Sequence, residues 1–302
     1  MNWETLNWPA LARLRTAFLA GTAGAADYWR DDRDLESYDQ TFAQRIGWKW
    51  DHVLAELAQR NWSPPDGVVV DWGCGTGIAA RAFLGKFGAA AASQMMFWDR
   101  SPLAMQFAAR RARAKFPGLN VWLDAPPDHT FGTLLLSHVL TELSDQQTEE
   151  LLIVAGHARA VIWVEPGTPA VSRRLIALRE RLQPVFQIVA PCPHQGHCGL
   201  LQAGNERHWC HHFAQPPPQV FTDGNWARFA KIAGVDLRSL PVSYLVLDKR
   251  PVPAGPALRV IGRPRVYKAH ALLLGCDDTG VRDRPLQKRD HPEEFRRWKK
   301  GR

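Results

Sequence analysis

The ten residues Val68–Gly77 read V-V-V-D-W-G-C-G-T-G, the composition of a ligand cradle. Gly73, Gly75 and Gly77 alternate with Cys74 and Thr76 directly after an acid, Asp71, and an indole, Trp72. Glycines at every second position let a backbone take positive φ values and approach a ligand where a Cβ would clash. The β-branched run ahead of them suits a buried parallel strand. The stretch therefore predicts a strand, a tight turn beneath a nucleoside cofactor, and a helix over Ile78–Leu84 that Gly85 would end. The order D-x-G-x-G-x-G differs from the dinucleotide fingerprint G-x-G-x-x-G, which sets a helix N-terminus under a pyrophosphate.

A second reactive set is cysteine-based. Cys192, Cys198 and Cys210 are separated by 5 and 11 residues, and Cys276 follows after another 65. His194, His197, His208, His211 and His212 share the same segment, Pro193–Pro218, which has neither helical nor strand period. Irregular stretches of this length are uncommon in compact domains without a purpose, and four thiolates around a cation or cluster would hold one in place. Zinc sites usually pair ligands about 2–4 residues apart, and no C-x-x-C occurs here. Spacing alone leaves an iron–sulfur cluster, zinc and buried unligated thiols open. The histidines are expected beside the thiolates as hydrogen-bond partners. Cys74 reads as a space-filling residue of the glycine loop, and an odd cysteine count argues against a disulfide framework.

The elements that must position these residues alternate strand and helix from Val68 onward. A strand Gln94–Trp98 ends in Asp99, and Ser101-Pro102 opens a helix through Lys115. Further strands are expected at Asn120–Leu123 before Asp124, at Phe131–Ser137 before His138, and at Ala160–Val164 before Glu165. Asp99 stands 22 residues beyond Gly77, where a doubly wound fold places the carboxylate that receives ribose hydroxyls. Ligands bind at the carboxyl ends of such strands, so the four acids Asp71, Asp99, Asp124 and Glu165 are expected to face one crevice. Ahead of this region, Trp8–Leu19 and Tyr38–Gln59 read as helices of a cap over residues 1–60. The linker Asn61–Gly67 carries Pro64 and Pro65. After it come a helix Ala170–Leu182, a strand Ile188–Cys192, a helix Trp226–Ala233 and a strand Val242–Asp248. The fold class is α/β, with the main domain over 61–248, its cysteine-rich segment at 190–218, and a small basic β extension at 249–302.

The net charge of +8 resides in that extension: residues 249–302 hold 15 Lys and Arg against 6 Asp and Glu, while residues 1–248 hold 23 against 24. A basic arm of this kind suits a polyanion, because neutralised phosphates release counterions. No apolar run reaches the roughly 18 residues of a membrane span. The start M-N-W-E-T-L lacks a secretory signal's basic and apolar parts. A soluble, cytoplasmic monomer without membrane contact is expected.

Five segments together carry a resemblance: D-W-G-C-G-T-G, S-H-V-L-T-E-L, V-E-P-G-T-P, the pair A-P-C-P-H-Q-G-H-C and R-H-W-C-H-H-F, and S-Y-L-V-L. From about residue 35 to the C-terminus, the chain resembles the methyltransferase-like family associated with the mitochondrial small ribosomal subunit, which also has bacterial members. The resemblance implies a Rossmann-like class I methyltransferase fold and an S-adenosylmethionine site on Asp71, Trp72, Gly73, Cys74, Gly75 and Gly77. Asp99 would serve the ribose, Asp124 the adenine edge, and Ser137 and His138 the acceptor side. It implies a four-iron four-sulfur cluster on Cys192, Cys198, Cys210 and Cys276, with zinc as the alternative, and RNA contacts through Arg263, Arg265 and Lys268. Gly199 departs from the proline that many relatives carry after the second cysteine. The expected function is methyl transfer to small-subunit ribosomal RNA, or to a precursor 30S particle, in ribosome assembly; the alternative is a non-catalytic assembly factor that binds the cofactor. No catalytic base is evident, and a Pro191-Cys192 nucleophile, of the kind used by RNA cytosine-C5 methyltransferases, conflicts with ligation by Cys192.

Overall fold

A computed structural model describes residues 3–20, 28–252 and 255–299. Met1, Asn2 and the last three residues of the basic extension, about which the sequence raised expectations, lie outside the described residues. Five parallel strands form the centre: β1 (Val68–Trp72), β2 (Gln94–Trp98), β3 (Val121–Leu123), β4 (Phe131–Ser137) and β5 (Ala158–Pro166). The strand β8 (Leu240–Asp248) runs antiparallel between β5 and β6 (Gln187–Ala190), giving the order β3-β2-β1-β4-β5-β8-β6, and β7 (His212–Ala214) pairs with the start of β8. The order reverses between β1 and β4, so a crevice opens where their carboxyl ends diverge.

Alternation along each strand fills two cores, as a pleat of period two requires. Val69, Met95, Leu135 and Ile162 face one side. There they meet α3 (Phe42–Gln59), α4 (Ile78–Phe87) and α5 (Pro102–Lys115). Val70, Met96, Leu134 and Val161 face the other, against α6 (Asp145–His157) and α7 (Pro169–Leu182). Two further helices, α1 (Trp8–Leu19) and α2 (Asp32–Asp39), lie ahead of α3, while α8 (Gln219–Thr222) and α9 (Gly224–Ala233) lead into β8. Residues 259–287 form a separate antiparallel sheet of β9 (Arg259–Val266), β10 (His270–Asp277) and β11 (Gly280–Gln287). Across it, α10 (Pro292–Lys299) packs Phe295 against Ala271, Leu273 and Leu286. Among the described residues no helix is long and apolar enough to cross a membrane.

The single helix expected over Tyr38–Gln59 is two. Thr41 leaves helical geometry at φ −126° and ψ −88°, and its hydroxyl donates to Ser37 O at 2.7 Å. The polar α2 gave no apolar period; its buried Asp34 and Asp39 are instead satisfied by Arg13 and Arg81. The helix after the glycine loop runs past Gly85 to Phe87 and ends at Gly88, which takes φ +86°. The segment expected to be irregular holds β7 and a 3-10 turn at Gly199–Leu201.

Candidate functional site

The carboxyl ends of β1, β2, β4 and β5 open on a cavity of about 470 Å³, within the range of about 300–1,000 Å³ typical of small-molecule sites. Its floor is the glycine loop. Gly73, Gly75 and Gly77 take φ values of +67°, +49° and +74°, a region in which a side chain is strained. Their surroundings separate their tasks. A Cβ on Gly73 would lie 2.8 Å from Val139 Cγ1, and one on Gly77 would lie 2.8 Å from Ala108 Cβ, so both are glycine because packing demands it. A Cβ on Gly75 would meet nothing within 4 Å. Gly75 lines the cavity, and the space above it is the room a ligand needs.

The loop is pinned from β2. Trp98 O accepts from Gly73 N and Cys74 N at 2.8 and 3.1 Å, while Asp99 accepts from Gly75 N and Ser101 N at 2.9 Å each. Strand register sets Trp72 beside Trp98, and the two indoles stack at 4.7 Å to form a wall of the cavity. Trp72, Gly73, Cys74, Gly75, Asp99, Ser137 and His138 are thereby brought together around one space. Gly77 stands behind the loop as the N-cap of α4.

The four acids do not converge. Asp99 lines the cavity, but Asp71 is fully buried on the α4 side of the sheet, where its Oδ2 accepts from Ala80 N at 3.2 Å. Burial pushes its carboxyl up to about 8. Glu165 Oε1 accepts from Val139 N, Leu140 N and Trp163 Nε1 at 3.0, 3.1 and 2.8 Å, and burial pushes that carboxyl up to about 7. It shapes the turn after β4 from beneath. Asp124 is exposed, caps its neighbour Ala125 N, and does not line the cavity, so the adenine-edge role expected of it has no geometric support. Period two explains Asp71: it shares a strand face with Val69, which packs toward α4.

On the side opposite the loop, Ser137 Oγ accepts from Trp50 Nε1 at 2.9 Å. His138 sits at φ +58°, its Nε2 3.5 Å from Lys49 Nζ. Burial, followed by the cations Lys49 and Arg45, holds the His138 imidazole well below its ordinary value. A second group lies nearer Asp99: Tyr28, Arg100 and Glu142, with burial pushing Glu142 up to about 7. Sequence reasoning missed Lys49, Arg45, Tyr28, Trp98 and Glu142. For the α3 pair there was a signal: Phe42, Arg45, Ile46 and Lys49 recur at helical spacing on one face.

The cysteines gather elsewhere. Cys198, Cys210 and Cys276 share an apolar cluster with Ile176, Leu200 and Ile261, and Arg179 Nε donates to Cys192 Sγ at 3.3 Å. Burial and then the thiols of Cys192, Cys198 and Cys276 push the Cys210 thiol well up, and burial with Cys192 takes Cys198 to about 11 and Cys276 to about 12. All four are thus within electrostatic reach of one another. His212 Nε2 lies 3.7 Å from Cys210 Sγ and His194 Nε2 3.9 Å from Cys276 Sγ, whereas His211 stacks on Trp209 and His197 pairs with Glu180. Among the described residues no three His, Cys, Asp or Glu side chains close around the position of a metal ion. On the basic extension, Arg263 lies over the Phe213 ring at 4.0 Å, Arg265 pairs with Asp283, and Lys268 is exposed at the turn between β9 and β10.

The sequence model described as "Mitochondrial small ribosomal subunit Rsm22" matches residues 49–302. Among solved structures, a putative RNA methyltransferase, PH1948 from Pyrococcus horikoshii, is similar at 12% identity over 68% of this chain and 81% of its own, with a TM-score of 0.40. Magnesium protoporphyrin IX methyltransferase (ChlM) from Synechocystis PCC 6803 with bound SAH is similar at 12% identity over 80% of this chain and 100% of its own, with a TM-score of 0.41. No curated protein matches the chain.

Proposed function

We propose a function from one premise: this chain belongs to the Rsm22 family, described as a mitochondrial small ribosomal subunit family. It acts as an S-adenosylmethionine-dependent methyltransferase, or a methyltransferase-like factor, on small-subunit ribosomal RNA. The observation that carries the cofactor is Gly75, whose missing Cβ leaves open space inside the cavity at a φ that disfavours side chains. Asp99 stands at the cavity with its carboxylate oriented by Gly75 N and Ser101 N, at the strand end where a doubly wound fold places the acceptor of ribose hydroxyls. The stacked Trp72 and Trp98 give the cavity an apolar wall on one side. Bound S-adenosylmethionine supplies an activated methyl group, so the protein's task is to align a nucleophile and keep the space dry.

In calorimetry, wild-type protein is expected to bind S-adenosylmethionine, and Gly75→Val, provided it retains the wild-type circular dichroism spectrum, to lose it. Unchanged affinity in a folded Gly75→Val protein would sink the site. Methyl transfer from radiolabelled donor to precursor 30S particles then separates enzyme from non-catalytic factor.

The four grouped thiols also support a cluster. Cys198, Cys210 and Cys276 lie in one apolar group with Cys192 within electrostatic reach, and these four thiolates would hold the cluster, which would spread the charge that burial penalises. Arg179 at Cys192 would orient that ligand. Anaerobically prepared protein is expected to be brown, with about four irons and matching acid-labile sulfide per chain. Stoichiometric zinc without sulfide, after iron-supplemented expression, would overturn the cluster. Arg263, Arg265 and Lys268 are the proposed phosphate contacts, positioning RNA without reading its sequence.

A further inference from the structure

The cavity has a cationic end formed by α3. On α3, Arg45 and Lys49 stand one helical turn apart and both line the cavity. Like charges at this spacing repel. Lys49 is only 4% exposed, and the polar atom at hydrogen-bond range is His138 Nε2, at 3.5 Å. Arg45 Nε is buried with no hydrogen-bond partner among the described residues. The acid whose charge reaches Lys49 is Glu165, already engaged by two backbone N–H groups and an indole. The acid whose charge reaches Arg45 is Asp236, which is paired with Arg238. Asp99 and Glu142 interact with Arg100 and Tyr28, at the other end. A buried Lys49 beside a half-buried Arg45 whose Nε is enclosed, with no carboxylate in hydrogen-bond contact with either among the described residues, is costly and becomes favourable once an anion enters.

We infer that Arg45 and Lys49 form an oxyanion site inside the cavity, one that takes a carboxylate or a phosphate between α3 and His138. That chemistry has two sources. One is the carboxylate of the cofactor's methionine moiety, since α3 packs on the start of α4, where Gly47 approaches Ile78, next to the glycine loop. The other is a phosphate of the methyl acceptor. The first source rests on the cofactor reading above and the second does not.

The charges that act on Lys49 are Arg45 on its own helix and Glu165 of β5, with His138 Nε2 at 3.5 Å; Arg15 of α1, Tyr38 of α2 and, toward the other end, Tyr28, Asp99, Arg100 and Glu142 line the same cavity. Burial, with Arg45 next in effect, lowers Lys49 to about 7. An entering oxyanion restores the ammonium, so binding takes up a proton above about pH 7 and weakens as pH rises further.

Titration calorimetry on the full chain tests this with three probes: S-adenosylmethionine, its decarboxylated form, and uridine 5′-monophosphate. The variants are Lys49→Met, Arg45→Gln and Lys49→Arg. If the cofactor supplies the anion, Lys49→Met weakens S-adenosylmethionine about tenfold or more and leaves the decarboxylated form unchanged. If the acceptor supplies it, both forms of the cofactor bind as before and uridine 5′-monophosphate weakens to that extent. Lys49→Arg retains most of the affinity in either case. Equal weakening of intact and decarboxylated cofactor overturns the inference, as does no change in any probe for Lys49→Met and Arg45→Gln. Wild-type protein that binds neither form of the cofactor but binds the nucleotide through Lys49 would defeat the cofactor reading and leave the oxyanion site standing; wild type that binds none of the three overturns both.

Discussion

Glu165 illustrates how an acid at a strand end can serve the site without facing it. Its carboxyl holds Val139 N and Leu140 N, the residues that follow His138, and so fixes the turn on which His138 takes its positive φ. Burial raises it to about 7, against about 4.3 in an unfolded chain. An acid whose folded value is raised contributes fully below the unfolded value and loses that contribution as pH climbs through the folded one. Wild-type stability is therefore expected to fall between about pH 4.5 and 7, with Asp71 extending the decline to about 8. Glu165→Gln, which keeps an acceptor for the two amides, should remove on the order of 1–3 kcal/mol of that decline. Urea midpoints at pH 5 and pH 8 check it, and an identical decline in the variant would mean that Glu165 is not buried as an acid. The sequence located all four acids but not their directions, because a strand-end position does not say which face a side chain takes. Asp71 went under α4, Asp124 into solvent, and only Asp99 into the cavity.

At the scale of elements, what is strongly periodic was legible. The boundaries of α1, α5, β2 and β4 fall where Trp8–Leu19, Pro102–Lys115, Gln94–Trp98 and Phe131–Ser137 predict them, because buried strands and a proline-opened helix announce themselves in residue type. Polar elements were not legible. α2 is held by ion pairs between distant segments, Arg13 with Asp34 and Arg81 with Asp39, which leave no pattern in a single sequence. α3 has two occupied faces. Trp50, Val53, Leu54 and Leu57 pack into the core, while Phe42, Arg45, Ile46 and Lys49 look into the cavity. Charged residues on a helix ordinarily mean solvent, and here the first half of the helix overhangs a ligand space. The recurrence of Phe42, Arg45, Ile46 and Lys49 on one face was the signal in the sequence, and it takes its meaning from the placement of that face beside His138.

Across the whole molecule, the question is what fixes the basic sheet β9-β10-β11 to the rest. A cluster shared by Cys192, Cys198, Cys210 and Cys276 would tie β10 to the main domain, and a polar tie is also present. Arg259, at the start of β9, donates to Glu56 Oε1 and Oε2 at 2.6 and 2.7 Å and to Tyr244 Oη at 2.6 Å, joining the sheet to α3 and β8. Arg60 extends the tie, donating to Glu56 and to Val189 O and Pro191 O beside Cys192. Removing one member of such a buried pair costs about 3–5 kcal/mol, because the remaining charge is left uncompensated. A fixed cationic surface binds folded RNA with less ordering cost than a mobile arm. Glu56→Gln removes no cation, yet it is expected to weaken binding of small-subunit ribosomal RNA by loosening the sheet, and Cys276→Ser, which also removes no cation, should act in the same direction. Arg263→Ala with Arg265→Ala should lower the salt slope by about one for each phosphate that is no longer neutralised. The opposing arrangement binds through the cations of α10 instead, tested by replacing Arg296, Arg297 and Lys299 with Gln, which keeps Phe295 packed on the sheet. Loss of binding in that triple variant, with affinity and salt slope unchanged in Glu56→Gln and in the double arginine variant, would transfer RNA binding from the anchored sheet to the terminal helix.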